Sequence, residues 1–337
     1  MHAETLFFTA PRTVEVRRIP LAPPQPGEVR VQTLVSGISA GTEMLMYRGQ
    51  FPKGLAADAT ISALQDEMRY PFPYGYAAVG RVVEVGDTIP AKMVGQHVFS
   101  FQPHCAEFVT SLDNLIPLPT DIRPEQAIFL PNMETAVTFV LDGAPKLQER
   151  VVVYGQGVVG LLTTAILARF PLETLTTIDP DSARRALSIQ WGATTSLPPG
   201  ALDFPDADLV FELTGRPSVL TDAIESAGFG GRVVIGSWYG EKRAPIDLGG
   251  HFHRNRITLL SSQVSTLAPH LTGRWSKTRR FDTVWSLLRE IQPEKLITHR
   301  FPLQDASQAY ALLDAPPEDM MQVIFTYQNE NNHTKEI

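Results

Sequence analysis

Glycines at positions 155, 157 and 160, in the run Gly-Gln-Gly-Val-Val-Gly, have a spacing that can bind phosphate. The apolar run "RVVVY" precedes them and the helix-compatible "VVGLLTTAILARF" follows, the strand-to-helix context that a GxGxxG turn requires. In such a turn Gly155 permits the tight reversal, Gly157 lets backbone approach a pyrophosphate, and Gly160 allows close helix–strand packing. Val158 and Val159 open the helix, whose N-terminal amides hold the phosphates. Asp179 ends the next strand-like run, 19 residues after Gly160. A carboxylate there accepts hydrogen bonds from the adenosine ribose and repels a 2′-phosphate. These residues predict NAD as cofactor, while Arg184 and Arg185 leave room for NADP. Thr214, Gly236, Ser237 and Trp238 follow later strands, at the carboxyl edge where such cofactors bind.

A second chemistry-bearing stretch is "SGISAGTEM", Ser36 to Met44, which gathers small residues, hydroxyls and Glu43 at the end of the alternating run "EVRVQTLV". A small-residue turn at a strand end lets backbone and short hydroxyl side chains approach another strand or a bound molecule. Other clusters carry less chemistry. His251 and His253 in "GGHFHRNR" could share one strand face, but they lack a third metal ligand and read as loop histidines near a subunit contact. His104 and Cys105 are adjacent, yet a nucleophile needs its base close in space. The basic run "RWSKTRRF" could receive a substrate carboxylate or form a solvated helix face.

The elements that must position these residues follow two rhythms. Up to about Pro119 the chain shows short strand-like runs punctuated by Pro and Gly, interrupted by a partly helix-compatible excursion from Gln50 to Tyr70 that is either a lid or a surface loop. After Arg150, strand and helix patterns alternate, which implies a parallel sheet with helices on both faces. Pro217 suits the first turn of a helix. The last ten residues, "QNENNHTKEI", read as a frayed polar tail.

At 337 residues the chain exceeds the usual size of one core, so two domains are expected. With 43% apolar and 19% charged residues it can bury a large interior. A net charge of −7 gives no broad attraction to nucleic acid or anionic lipid. The single cysteine excludes an intrachain disulfide and a zinc site of three or four thiolates. No run has the length of a membrane span, and the N-terminal apolar run is too short for a signal peptide, so a cytoplasmic location is expected.

Taken in order through "PGEVRVQTLVSGIS", "GRVVEVG", "GQGVVGLL", "LITHRFPL" and "AYALLD", the chain resembles the medium-chain dehydrogenase/reductase superfamily over nearly its whole length. The resemblance implies an α/β fold in which a GroES-like β-rich catalytic domain accompanies a Rossmann doubly wound parallel sheet. The expected division is 1–131 catalytic, 132–266 dinucleotide-binding, and 267–337 returning to the catalytic domain. In zinc-bearing members Ser39 would be cysteine, and Tyr76-Ala77 would be His-Glu; the third ligand would fall near "LPNMETA". The resemblance therefore implies a metal-free enzyme. It also resembles, through "SGISxGTE" and a following Gly-Tyr, the branch that oxidises the hydroxyethyl group of bacteriochlorophyllide, from which "PYGYAAVG" departs by lacking an acid after Gly-Tyr.

On this resemblance Ser39, Thr42 and Tyr76 offer hydroxyls near the substrate oxygen, and Glu43 and Glu134 are the available carboxylates, with Tyr76 and Glu134 leading. Alternatively Glu43 caps a helix or pairs with Arg48, and Tyr76 fills the space of the missing metal. Asn132 and Thr135 would touch the nicotinamide, and His299 would be structural. The implied activity is zinc-independent alcohol–ketone interconversion on a small-molecule substrate, in a homodimer. Reduction of an activated C=C bond and non-catalytic dinucleotide sensing are the alternatives.

Overall fold

The computed structural model describes residues 1–52, 54, 56, 61–65, 67–203 and 206–327. The chain forms two compact units, one of residues 1–129 and 294–337, the other of residues 130–293.

The first unit opens with β1 (His2–Ala10), β2 (Thr13–Pro20) and β3 (Glu28–Gly37), then the one-and-a-half-turn helix α1 (Glu43–Arg48). Next come β4 (Phe72–Pro73), β5 (Ala78–Val85), β6 (His97–Ser100), β7 (Glu107–Ser111), β8 (Leu115–Pro117) and α2 (Pro124–Ala127). Alternation along β3 buries Val29, Val31, Thr33 and Val35, the period-two pattern of a strand with one face on a core. β5 lies along one edge of β3, and β7 pairs with its first half through Glu28–Gln32. An aromatic core of Phe8, Tyr47, Phe72 and Tyr74 packs behind the α1 loop. The excursion expected from Gln50 to Tyr70 is partly outside the described residues; its described part includes a short 3-10 turn at Ser62–Leu64 and a bridge from Ala56 to Glu67.

The second unit runs α3 (Leu130–Gly143), β9 (Arg150–Tyr154), α4 (Val158–Leu167), β10 (Thr174–Ile178), α5 (Ser182–Gln190) and β11 (Thr195–Leu197). It continues with β12 (Ala207–Glu212), α6 (Val219–Glu225), β13 (Ala227–Ile235), α7 (His251–Arg254), β14 (Thr258–Ser261) and α8 (Lys277–Ile291). Its six strands are all parallel, in the order β11-β10-β9-β12-β13-β14, the doubly wound arrangement with its switch point beside β9. β9 is buried from Val151 to Tyr154, as an inner strand covered on both faces must be.

The chain then returns to the first unit through β15 (Ile297–Pro302), α9 (Ala306–Asp314) and β16 (Gln322–Thr326). β16 pairs with the last residues of β3, Val35 to Gly37. The return begins at Glu294, not at residue 267, because α8 packs on α3 and its buried Arg280 is ion-paired to Glu134 of that helix. His251 and His253 lie on the short helix α7 and not on a strand. His251 donates through Nε2 to the Ala227 carbonyl, 2.8 Å away, and its Nδ1 lies 3.0 Å from the Asn255 amide. The expected polar tail, Gln328 to Ile337, lies outside the described residues.

Candidate active site

In the second unit the glycine turn is built by steric necessity. Gly155 has φ +90°, and a Cβ there would sit 2.9 Å from the Leu213 carbonyl carbon. A Cβ on Gly160 would fall 1.9 Å from the Gly155 oxygen, so only hydrogen fits where α4 crosses the turn. Gly157 caps α4, and a Cβ on it would meet nothing within 4 Å, which leaves an open approach to the first-turn amides of Val158 and Val159. Gln156, unremarked in the sequence, is fully buried; its side chain donates to the Gly155 carbonyl at 3.1 Å and accepts from the Thr164 hydroxyl at 3.0 Å.

Asp179 closes β10 beside this turn. Its Oδ2 accepts the Gln156 amide at 2.7 Å and its Oδ1 the Asp181 amide at 2.9 Å, so its carboxylate is oriented by backbone before any ligand arrives. Each oxygen retains a further acceptor direction. The Arg184 guanidinium is held near Asp181 at 3.7 Å, and Arg185 donates to the carbonyls of Asp179 and Pro180.

At the carboxyl edge of β12 the buried Glu212 gathers the loop residues. It accepts from the Thr214 amide at 2.8 Å, from the Thr214 hydroxyl, and from the Tyr239 hydroxyl at 2.6 Å. Burial and this carboxylate together push the Tyr239 phenol far up. Ser237 accepts the Gly215 amide at 2.8 Å, and Gly236 packs so closely that a Cβ would lie 2.5 Å from Leu213 and Phe139. Trp238 is exposed. On α3, Asn132 and Thr135 are half-buried and one turn apart, with the Thr135 hydroxyl donating to the Pro131 carbonyl. Glu134 is buried and receives Arg280, which also donates to Thr138 at 3.1 Å.

In the first unit the structure brings Ser39, Thr42, Glu43 and Tyr76 together. The Tyr76 hydroxyl donates to Ser39 Oγ at 2.5 Å and is also hydrogen-bonded to Thr42. Burial raises the Tyr76 phenol above its ordinary range; the two hydroxyl partners oppose this, and nearby Glu43 adds to it. Glu43, in the first turn of α1, is fully buried, and its Oε1 accepts the Ser39 amide at 2.7 Å. It is the first residue of α1 and not its cap, which is Thr42, and it does not pair with Arg48, which reaches Asp314 at 2.7 Å.

Two residues that meet Glu43, His104 and Tyr310, carried no sign of that contact in the sequence. His104 Nε2 lies 3.0 Å from Glu43 Oε2, and the Tyr310 hydroxyl donates to the same oxygen. His104 Nδ1 lies 2.7 Å from Ser36 Oγ, which in turn meets the Tyr327 hydroxyl at 2.7 Å. Burial, then Glu43, drives the Tyr310 phenol well up. Neighbouring Cys105 is buried, and burial pushes its thiol up to about 12, which keeps it protonated and inert. The adjacency of His104 and Cys105 therefore makes no nucleophile.

Comparison with known proteins bears on both units. No protein-family profile matches the chain. The 2-desacetyl-2-hydroxyethyl bacteriochlorophyllide A dehydrogenase of Cereibacter sphaeroides is 23% identical over 96% of this chain and 98% of its own length. The RspB alcohol dehydrogenase of Escherichia coli, solved with NADH, superposes with a TM-score of 0.77 at 19% identity, covering 96% of this chain and 99% of its own. A dehydrogenase of Sinorhizobium meliloti solved with NADP gives 0.76 at 18% identity, over 97% and 99%. Further curated relatives bear the names of sugar, sugar-acid and amino-acid dehydrogenases and a sugar reductase.

Proposed function

We propose that this chain, whose relatives by sequence and neighbours by fold are medium-chain alcohol dehydrogenase-like proteins, is a nicotinamide-dependent oxidoreductase that interconverts a secondary alcohol and a ketone without zinc. The observation that carries the reading is the Tyr76–Ser39 hydroxyl pair; on the sequence resemblance these two positions correspond to metal ligands of the zinc-bearing members.

The donors present do not fit zinc. Ser39 and Tyr76 are hydrogen-bonded to each other, Ala77 has no donor, and both His104 nitrogens face protein partners. Among the described residues no group of three His, Cys, Asp or Glu side chains converges. The dinucleotide does fit: Gly155, Gly157 and Gly160 with the α4 amides form a phosphate cradle, and Asp179 presents an oriented carboxylate for the ribose, which favours NAD over NADP.

Nicotinamide supplies the hydride acceptor or donor when bound. The chain's own task is the substrate oxygen. Ser39 Oγ accepts a hydrogen bond from the Tyr76 hydroxyl, so its own O–H is left to donate to the carbonyl or alkoxide oxygen; the proton that this oxygen gains on reduction, or gives up on oxidation, is exchanged with solvent through the hydroxyl pair. Tyr76 polarises that hydroxyl, and Thr42 holds the phenol in place. Glu134, ion-paired to Arg280, reads as a support of α3.

The test combines calorimetry with product analysis. NADH should bind, and deuterated NADH with a ketone panel should place label on a carbinol carbon. Tyr76→Phe should lower turnover about a hundredfold or more while leaving NADH affinity within about twofold. Label on the β-carbon of an enone would instead favour C=C reduction, and NADH binding without turnover would favour a sensor.

A further inference from the structure

His104 touches both loops that carry the hydroxyl pair. On one side its Nε2 meets Glu43, whose other oxygen holds the Ser39 amide at 2.7 Å. On the other its backbone N–H donates to the Tyr74 carbonyl at 3.2 Å, and its ring lies against Gly75, the residue before Tyr76. Gly75 has φ +128°, and a Cβ there would sit 2.8 Å from His104 Cδ2 and 2.9 Å from its backbone nitrogen. Only glycine tolerates both that conformation and that contact.

We propose that His104 is the positioning residue of the Ser39–Tyr76 pair, setting Ser39 through Glu43 and Tyr76 through Gly75. The inference rests on the reading of that pair as the substrate-oxygen site.

Hydrogen-bond accounting supports a single fixed arrangement. The Glu43 carboxylate accepts from the Ser39 amide, from His104 Nε2–H and from the Tyr310 hydroxyl. With its proton on Nε2, His104 accepts at Nδ1 from the Ser36 hydroxyl, and Ser36 accepts from Tyr327. Every donor along this chain points toward Glu43, and Ser36, Glu43, His104 and Tyr310 are all fully buried. Phe325 closes the ring edge-on at 5.0 Å. A buried network with every member satisfied has one geometry, so a displaced His104 moves both loops.

The test uses the full chain labelled with 15N and with 13Cζ-tyrosine. In the wild type the Ser39 amide should be shifted downfield and protected from exchange; an unprotected Ser39 amide would overturn the proposal before any variant is made. In His104→Leu the Ser39 amide should exchange at least about tenfold faster and the Tyr76 resonance should move. His104→Gln, which can still present an N–H to Glu43, should restore the Ser39 protection. If His104→Leu does not fold, Gly75→Ala reads the same displacement from the other loop. Unchanged Ser39 and Tyr76 signals in a folded variant would refute the assignment. With an active substrate, His104→Leu should lower kcat about a hundredfold with KM within about threefold. Failure of the wild type to bind NADH would sink the dinucleotide reading alone and leave the amide result standing.

Discussion

Tyr76 keeps its proton across the physiological range. Burial raises its phenol from the ordinary value of 10.0, Ser39 and Thr42 pull it back, and Glu43 raises it again, with a net upward shift. The protonated donor is thus present below 10 and is lost only as pH climbs through the raised value. A pH–rate profile should show no falling limb below 10 that vanishes in Tyr76→Phe; such a limb would mean that Tyr76 loses its proton below its ordinary value. The hydroxyls of this pair are legible as candidates because the small-residue loop after β3 and the Gly-Tyr before β5 are contiguous in the sequence. The hub that holds them is not: His104 lies 61 residues from Glu43, and nothing near either residue signals that they meet.

Elements show the same division between local and distant causes. The β9–Gly155–α4 turn is readable because its glycines, its apolar strand and its helix are contiguous. α3 is less so: only "LPNMETA" is expected as a site segment, and the helix packs both on α4, which follows it closely, and on α8, more than a hundred residues later. Arg232 of β13 closes the other end of α3. It donates to the Gly143 and Ala144 carbonyls and holds both Glu149 oxygens at 2.8 and 2.7 Å. Burial raises the Glu149 carboxyl, but Arg232 and the Lys146 amide outweigh it and leave it below its ordinary 4.5. The stability from this pair is therefore fully present above 4.5 and disappears as pH falls through the lowered value. Arg232→Ala should destabilise the chain by about 1–3 kcal/mol at neutral pH, because it leaves buried acceptors unpaired. The deficit should shrink below pH 4.5 in urea unfolding; a deficit constant with pH would show that Glu149 is not the partner that matters.

For the whole molecule, the return of the chain after residue 293 completes the first unit. α9 brings Tyr310 to Glu43, β16 extends β3 at the end that leads into the Ser39 loop, and Tyr327 follows it. Zinc content is a property to measure at this scale. Protein purified without chelator should contain far less than one zinc per chain by elemental analysis, since Ser39, Tyr76 and Ala77 provide no ligand set. Stoichiometric zinc would show that metal binds through other residues. No described helix is long and apolar enough to cross a membrane.

The residues by themselves determined the glycine turn, the carboxylate at Asp179 and the parallel alternation after Arg150. Those features are written in contiguous stretches, where spacing and side-chain size state the constraint directly. Tertiary structure alone decided that Glu43 faces His104 and Tyr310, that Glu134 is held by Arg280, and that α8 joins the second unit. Each of these is a buried polar contact between distant segments, and burial obliges such groups to find partners without specifying in the sequence which partners those will be.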